Sequence, residues 1–286
     1  MQTVLEILSK TEAFFAQKGV PSPKTDAQLL LAHALECKRL ELFLRFDEPL
    51  SEERLAKVRE LVRRRGRREP LQHILGSQEF FGASIKCDAR ALIPRPETEE
   101  LCEIISEKFF PDCGAPLEIL DLGTGGGAIA VSLALRYPNA RVEAVDKSAD
   151  ALALARENAA LNGARVEFAE SDWFERAGEG YDLIVSNPPY LTEEEVAAAE
   201  PEVRAHDPIC ALVSPDGGMA DLKKILFGAA DRLKPGGILA LECGLGHAEK
   251  LAEMRADAGF AGAEIFRDAS RRARFAAFAK GGNRAV

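Results

Sequence analysis

Asp182-Leu183-Ile184-Val185-Ser186 runs directly into Asn187-Pro188-Pro189-Tyr190, and few folds accommodate that junction. A short apolar run reads as a buried strand of a parallel sheet, and two successive prolines must end it abruptly. Each proline fixes its φ and lacks an N–H, so no helix or ladder continues through them to consume the backbone carbonyls of Asn187 and Pro188. Asn187 adds a side-chain carbonyl at the carboxyl end of the strand, where open α/β sheets place their ligands. An incoming primary amide or exocyclic amine has two N–H bonds to donate, and this corner offers acceptors for both.

The surrounding chain supplies the sheet that such a strand needs. Residues 117–122 read as a strand, Gly123-Thr124-Gly125-Gly126-Gly127 as a tight loop, and 128–136 as a helix. Further strands are expected at 141–146, 165–169, 182–186, 238–242, 264–267 and 275–280. Helices are expected at 149–161 behind Ser148, at 219–233, and before Gly259, with a turn at Pro235-Gly236-Gly237. This alternation implies a twisted, mostly parallel sheet with helices on both faces. Upstream the period is helical: 3–18, a helix capped by Thr25 or Asp26, a short segment at 40–44, and a helix opening at Ser51. That last helix carries Arg63, Arg64, Arg65, Arg67 and Arg68, and such a run usually marks a solvated face, with contact to a partner as the alternative. Residues 78–87, split by Gly82, suggest a β-hairpin; the stiff Pro94-Arg95-Pro96 loop then leads into a helix ending near Phe109. The expected organisation is an α/β chain: a helical domain over 1–75, a hairpin linker over 76–92, and a Rossmann-like domain over 93–286.

Composition narrows the function classes. Apolar residues at 47% and charged residues at 29% suit a soluble globular protein, and no apolar run approaches a membrane span. With no secretory signal pattern, a cytoplasmic location and no membrane partner are expected. Six cysteines and four histidines show no metal-ligand or triad spacing, so no metal is expected. Residues 1–75 hold 14 Lys and Arg against 11 Asp and Glu, and the remainder 23 against 35. A catalytic half with a net charge of −12 is a poor phosphate binder, which argues against tight duplex binding. The net +3 of the first half stays compatible with touching ribosomal RNA or an acidic protein, so nucleic-acid contact is expected at most through the ribosome.

The glycine loop has a physical use. Gly123, Gly125 and Gly127 allow close backbone approach, and the helix that starts there offers N–H groups to an anionic ligand group. Asp146, 23 residues beyond Gly123 at the end of the next strand, can bind ribose hydroxyls. These features suit a dinucleotide or S-adenosylmethionine equally. Asp121 before the loop, the compact Gly-x-Gly-x-Gly, and Ser171-Asp172-Trp173-Phe174 after the third strand resemble the Rossmann-like methyltransferases. Asn-Pro-Pro-Tyr resembles that family's signature for transfer to planar nitrogen. The resemblance implies that Asp121, Gly123, Thr124, Gly125, Gly126, Gly127, Asp146, Asp172, Trp173 and Asn187 bind S-adenosylmethionine, with Asp172 facing the adenine amino group.

A narrower resemblance rests on Glu69-Pro70-Leu71-Gln72-His73-Ile74-Leu75-Gly76, Ile93-Pro94-Arg95-Pro96-Glu97-Thr98-Glu99, Gly218-Met219-Ala220-Asp221, and Arg267-Asp268 followed by Arg272 and Arg274. Over about 69–279 the chain resembles the release factor glutamine methyltransferases. One departure is Gly126, where relatives commonly carry Ser or Thr. The resemblance implies N5-methylation of the glutamine in the Gly-Gly-Gln motif of peptide chain release factors, and a monomer is expected. It assigns catalysis to Asn187, Pro188, Pro189 and Tyr190, with Tyr190 packed on the planar amide. Arg95 and Glu97 join these four in binding substrate, although a loop salt bridge explains that pair as well. Two rivals share the chemistry: an adenine N6-methyltransferase acting on nucleic acid, and a glutamine methyltransferase of a ribosomal protein.

Overall fold

The computed structural model describes residues 2–282, which divide into two compact units. One comprises the chain up to Ser77 together with Glu200–His206; the other comprises Gln78–Ala199 and the chain from Asp207 onward.

The first unit is helical: α1 (Val4–Gln17), α2 (Pro23–Ala34), a 3₁₀ turn (Arg39–Leu44), α3 (Glu52–Gly66) and α4 (Leu71–Leu75). Thr3 and Glu6 cap α1 reciprocally, each side chain accepting from the other's backbone N–H at 3.3 Å. Val4, Ile7, Leu8 and Phe15 of α1 form one buried stripe with Leu30 and Leu31 of α2 and Leu55 and Val58 of α3. Helix α2 starts at Pro23 behind Ser22, earlier than the expected Thr25 or Asp26 cap. Proline suits the first helical position because its missing N–H would have no partner there. Asp26 therefore lies inside the helix, and it is buried.

The arginine run departs from a solvated face for a related reason. Arg65 falls seven residues after Val58, on the buried stripe of α3, and is 5% exposed. Its guanidinium contacts Asp26 at 2.7 Å, Glu202 at 2.6 Å and the Glu69 carbonyl at 3.0 Å. Arg68 binds both oxygens of Glu202, at 2.7 and 2.6 Å. Arg63 pairs at the surface with Glu60.

The second unit begins inside a hairpin, at Gln78 of β1 (Ser77–Phe80), and continues through β2 (Ala83–Lys86) to α5 (Pro96–Ile104), which a π-helical turn extends to Phe109. Then come β3 (Glu118–Leu122), α6 (Ala128–Arg136), β4 (Arg141–Asp146), α7 (Ala149–Asn162), β5 (Val166–Glu170) and β6 (Tyr181–Ser186). After β6 lie α8 (Glu193–Ala198) and α9 (Pro201–His206), neither foreseen, and α9 belongs to the first unit. The chain closes with α10 (Ala220–Ala229), β7 (Leu233–Glu242), α11 (His247–Met254), β8 (Phe260–Arg267) and β9 (Ala273–Lys280).

Seven strands form one sheet in the order β5-β4-β3-β6-β7-β9-β8, parallel except where β9 pairs with β7 and β8. Its central strands alternate between two cores. Leu183, Val185, Ile238 and Ala240 face one side, and Ile184, Leu239 and Leu241 the other. Strand β7 starts at Leu233 and runs through Pro235-Gly236-Gly237, expected as a turn. A register shift opposite Tyr181 and Leu183 absorbs these residues. The hairpin is no loose linker. Asn162 exchanges hydrogen bonds with the Ser84 backbone at 2.9 and 2.8 Å, and Asn158 with that of Lys86 at 2.8 and 3.2 Å.

Arg65→Ala leaves the buried Asp26 carboxylate without its counter-charge, while Glu202 keeps Arg68. It is expected to lower unfolding free energy by about 3–5 kcal/mol in urea denaturation, against less than ~0.5 kcal/mol for Arg63→Ala. Equal small effects would show that the pair is not buried in solution.

Candidate functional site

Register places the site. Strands β3 and β6 are parallel neighbours, with Leu122 opposite Ser186, so the loop after one and the proline corner after the other lie side by side. Ser186 Oγ donates to the Leu122 carbonyl at 2.6 Å, tying the strand ends together just before both chains diverge. A cavity opens there, lined by Gly123 to Gly126 of the glycine loop, Asp146, Asp172, Trp173, Asn187, Pro189, and the segment after the hairpin that includes Ala91 and Arg95.

The loop conformation requires glycine at several positions. Gly123 has φ +68°, and a Cβ on it would sit 3.2 Å from the Trp173 indole. Gly127, at φ +83°, would press a Cβ to 3.0 Å from Ala155 of α7. Gly126 differs: a Cβ would meet Leu154 at 3.4 Å, Ala91 at 3.6 Å and Asn158 Nδ2 at 3.8 Å, ordinary van der Waals contacts, so the geometry there admits a side chain. Asn158 donates to the Gly126 carbonyl at 2.8 Å, linking loop, α7 and hairpin.

Asp146 closes the loop, accepting from Gly125 N–H at 2.8 Å and from Ser148 N–H at 2.9 Å. Each of its oxygens keeps a second lone pair for a ligand hydroxyl. Among the described residues the Asp172 carboxylate has no hydrogen-bond partner. The Trp173 indole N–H donates to Asp221 at 3.2 Å, and Asp221 in turn accepts from Ser214 Oγ at 2.6 Å, so the ring is held on edge. Ala128 and Ile129, at the start of α6, line the cavity, and no acceptor among the described residues meets their N–H groups. The chemistry of this donor set fits S-adenosylmethionine: unspent N–H groups for a carboxylate, Asp146 for a ribose diol, Asp172 and Trp173 for a base.

Asp121 stands apart from that set. It is 1% exposed and does not line the cavity. Its Oδ2 accepts from Thr124 Oγ1 at 2.6 Å and Ala130 N–H at 3.2 Å, so it ties down the loop from behind. Gly127 likewise lies behind the cavity wall. Burial pushes the Asp121 carboxyl up to about 7, against the two hydrogen bonds that favour its charge.

At the corner the amide of Asn187 is polarised. Asn187 Nδ2 donates to Thr98 Oγ1 at 2.9 Å, and Thr98 Oγ1 donates to Glu242 Oε2 at 2.6 Å. The other Glu242 oxygen accepts from Tyr190 OH at 2.9 Å, and Arg274 reaches the same phenol oxygen at 3.3 Å. Asp268 holds Arg274 at 3.1 Å and Arg272 at 2.8 Å. Burial pushes the Glu242 carboxyl upward, opposed by the Thr98 and Tyr190 hydrogen bonds and the Arg274 charge. Burial also raises the Tyr190 phenol, with the Glu242 charge adding to it. No protein donor reaches Asn187 Oδ1 or the Pro188 carbonyl among the described residues.

Several expected site residues therefore sit elsewhere. Pro188 lies between the cavity-lining Asn187 and Pro189 and has only its unengaged backbone carbonyl to offer there, whereas Tyr190 does not line the cavity and its hydroxyl is committed inward to Glu242. Glu97 faces Arg272 at 3.5 Å rather than the cavity. Arg95 does line it, with one N–H on Asp207 at 2.6 Å. Thr98, Glu242, Arg274 and Asp221 were absent from the expected site. Thr98, Asp221 and Arg274 lie in the quoted motifs, but Glu242 reads simply as the end of a strand.

Residues 6–76 match the PrmC N-terminal domain family, and 102–203 match the Methyltransferase small domain family. A release factor glutamine methyltransferase of Geobacter sulfurreducens is 41% identical over 90% of each chain. One from Deinococcus radiodurans is 42% identical over 94% of this chain and 96% of its own. The chain belongs to the release factor glutamine methyltransferases. Solved structures agree with this family at the level of fold: a methyltransferase from Pyrococcus furiosus has a TM-score of 0.52 at 21% identity, covering 70% of this chain and 90% of its own. A 16S rRNA N2 G1207 methyltransferase of T. thermophilus, solved with AdoMet and guanosine, has the same score at 22% identity over 72% of this chain and 49% of its own.

The raised Asp121 pKa has a definite sign. A carboxyl that holds its proton more tightly when folded costs stability as pH rises from its unfolded value near ~3.9 through about 7. Without added cofactor, Asp121→Asn is expected to gain about 2 kcal/mol on wild type between pH 5 and pH 8 in urea denaturation. A constant difference across that range would place the carboxylate in a solvated setting.

Proposed function

We propose that this chain transfers a methyl group from S-adenosylmethionine to the side-chain amide nitrogen of the glutamine in the Gly-Gly-Gln motif of peptide chain release factors. The polarity of the Asn187 amide carries this assignment. With its NH2 engaged by Thr98, Asn187 turns a carbonyl toward the cavity, and the Pro188 carbonyl next to it accepts nothing from the protein. Two acceptors at one corner match the two N–H bonds of a primary amide.

An amide nitrogen is a poor nucleophile because its lone pair is delocalised into the carbonyl. S-adenosylmethionine, when bound, supplies a methyl activated by an adjacent sulfonium. The corner holds the acceptor nitrogen in one orientation, which lowers the barrier by several kcal/mol through positioning alone. Its oxygens also meet the positive charge that grows on nitrogen as the bond forms. This stabilisation needs no strong base before transfer: the nitrogen lone pair takes the methyl as its C–S bond breaks to leave a neutral thioether, and the methylated nitrogen then loses one N–H proton to solvent. Pro189 stiffens the corner; Tyr190 anchors it from below through Glu242 rather than stacking on the substrate. Arg95, on the cavity wall, is placed to meet the substrate loop.

Recognition of the release factor falls to the helical unit, whose 3₁₀ turn exposes Leu40, Phe43 and Leu44. Arg65 is withdrawn from any such surface by its internal pairing. A protein acting on translation factors works in the cytoplasm, and one chain holds every group the reaction requires, so a monomer suffices.

With labelled S-adenosylmethionine, purified release factor is expected to take up methyl and duplex DNA or rRNA is not; label confined to nucleic acid would favour adenine N6-methylation. Replacing the Gly-Gly-Gln glutamine should abolish incorporation, and label in a ribosomal protein instead would point to that substrate. Asn187→Ala is expected to cut turnover by about 100-fold while cofactor affinity by calorimetry changes little. A near-normal rate would remove Asn187 from the mechanism.

A further inference from the structure

The corner acceptor works only if the Asn187 amide cannot turn over. An amide has similar shape in both orientations, and the flipped one would present NH2 to the incoming NH2, donor against donor. Something in the protein must choose, and the buried chain behind the corner does so by elimination. Arg274 has donors only, so its contact with the Tyr190 oxygen sends the phenol proton onward to Glu242. Glu242 accepts at both oxygens, from Tyr190 at one and Thr98 at the other, with the Arg274 charge favouring its carboxylate form, so the Thr98 hydroxyl proton also points to it. Thr98 Oγ1 then has lone pairs alone to offer Asn187, which can meet them only with its NH2.

We propose that Thr98 and Glu242 are positioning residues, a polarity relay that locks the Asn187 amide with its carbonyl toward the substrate. This inference rests on the acceptor role of Asn187 argued above. Glu242 is 1% exposed and lies on β7, Thr98 on α5, and neither has to touch substrate to act. Asp268 and Arg274 belong to the same device, because Asp268 keeps the donor-only guanidinium against Tyr190.

Glu242→Gln keeps the shape and removes the rule. Arg274 already donates to the Tyr190 oxygen, so the new amide turns its own NH2 toward Thr98 rather than set a second donor against the phenol. Thr98 is then released to donate to Asn187 Oδ1, and the corner amide flips. Turnover on release factor is expected to fall by about 10–100-fold, with the Michaelis constant and calorimetric cofactor affinity within about threefold of wild type. Thr98→Val should behave alike, and Thr98→Ser, which keeps the hydroxyl, should restore at least about a third of the wild-type rate.

A double-mutant cycle separates this device from general damage. In an Asn187→Ala background, Glu242→Gln should cost less than about threefold more, because the group it orients is gone. Multiplicative losses would overturn the relay, as would wild-type turnover in Glu242→Gln alongside an impaired Asn187→Ala. Wild-type turnover in Asn187→Ala would instead sink the acceptor role and the relay with it. If Glu242→Gln fails to bind cofactor, the contrast between Thr98→Val and Thr98→Ser decides, and equal losses in those two would reject the proposal.

Discussion

Parallel pairing of β3 with β6, ending at Leu122 opposite Ser186, is the constraint on which the rest of the site depends. Strand ends in a parallel sheet share one edge, so whatever follows them is brought together. Here a glycine loop follows one strand and a proline corner the other. The Ser186 hydroxyl on the Leu122 carbonyl holds the two ends within a hydrogen bond of each other. Slipping this pair by one residue would exchange the two cores and turn the corner away from the cavity.

Around that edge the protein spends much of its buried polar chemistry on restraint. Asp146 accepts from the loop backbone, Asp121 grips it from behind, and Asn158 joins it to α7. On the other side, Glu242 and Arg274 settle the direction of every hydroxyl leading to Asn187. Buried hydrogen-bond networks are valuable when all members are satisfied, because the low dielectric penalises any alternative arrangement. Pre-set orientation is what a slow nucleophile such as an amide nitrogen most needs.

The helical unit shows the same economy with charge. A surface arginine contributes little, yet Arg65 and Arg68 are drawn inward by Asp26 and Glu202. Glu202 lies far along the chain, on α9, and no local pattern announces it. The expectation of a solvated arginine face fails at Arg65 and Arg68 because charge-run behaviour ignores both the buried helix face that Arg65 shares with Val58 and the carboxylates that meet it.

Local sequence determined the strands and helices of the sheet, the glycine loop, the abrupt end of β6 and the resemblance carried by those motifs. Each depends on neighbours in the chain: alternation with period two, proline's fixed φ, glycine's access to positive φ. Only the tertiary structure decided that Asp121 and Tyr190 face inward, that Glu97 turns to Arg272, and that Thr98 and Glu242 meet behind Asn187. These pairings join residues as much as 144 positions apart, and a strand's sequence states that a side chain is buried without stating what it will meet.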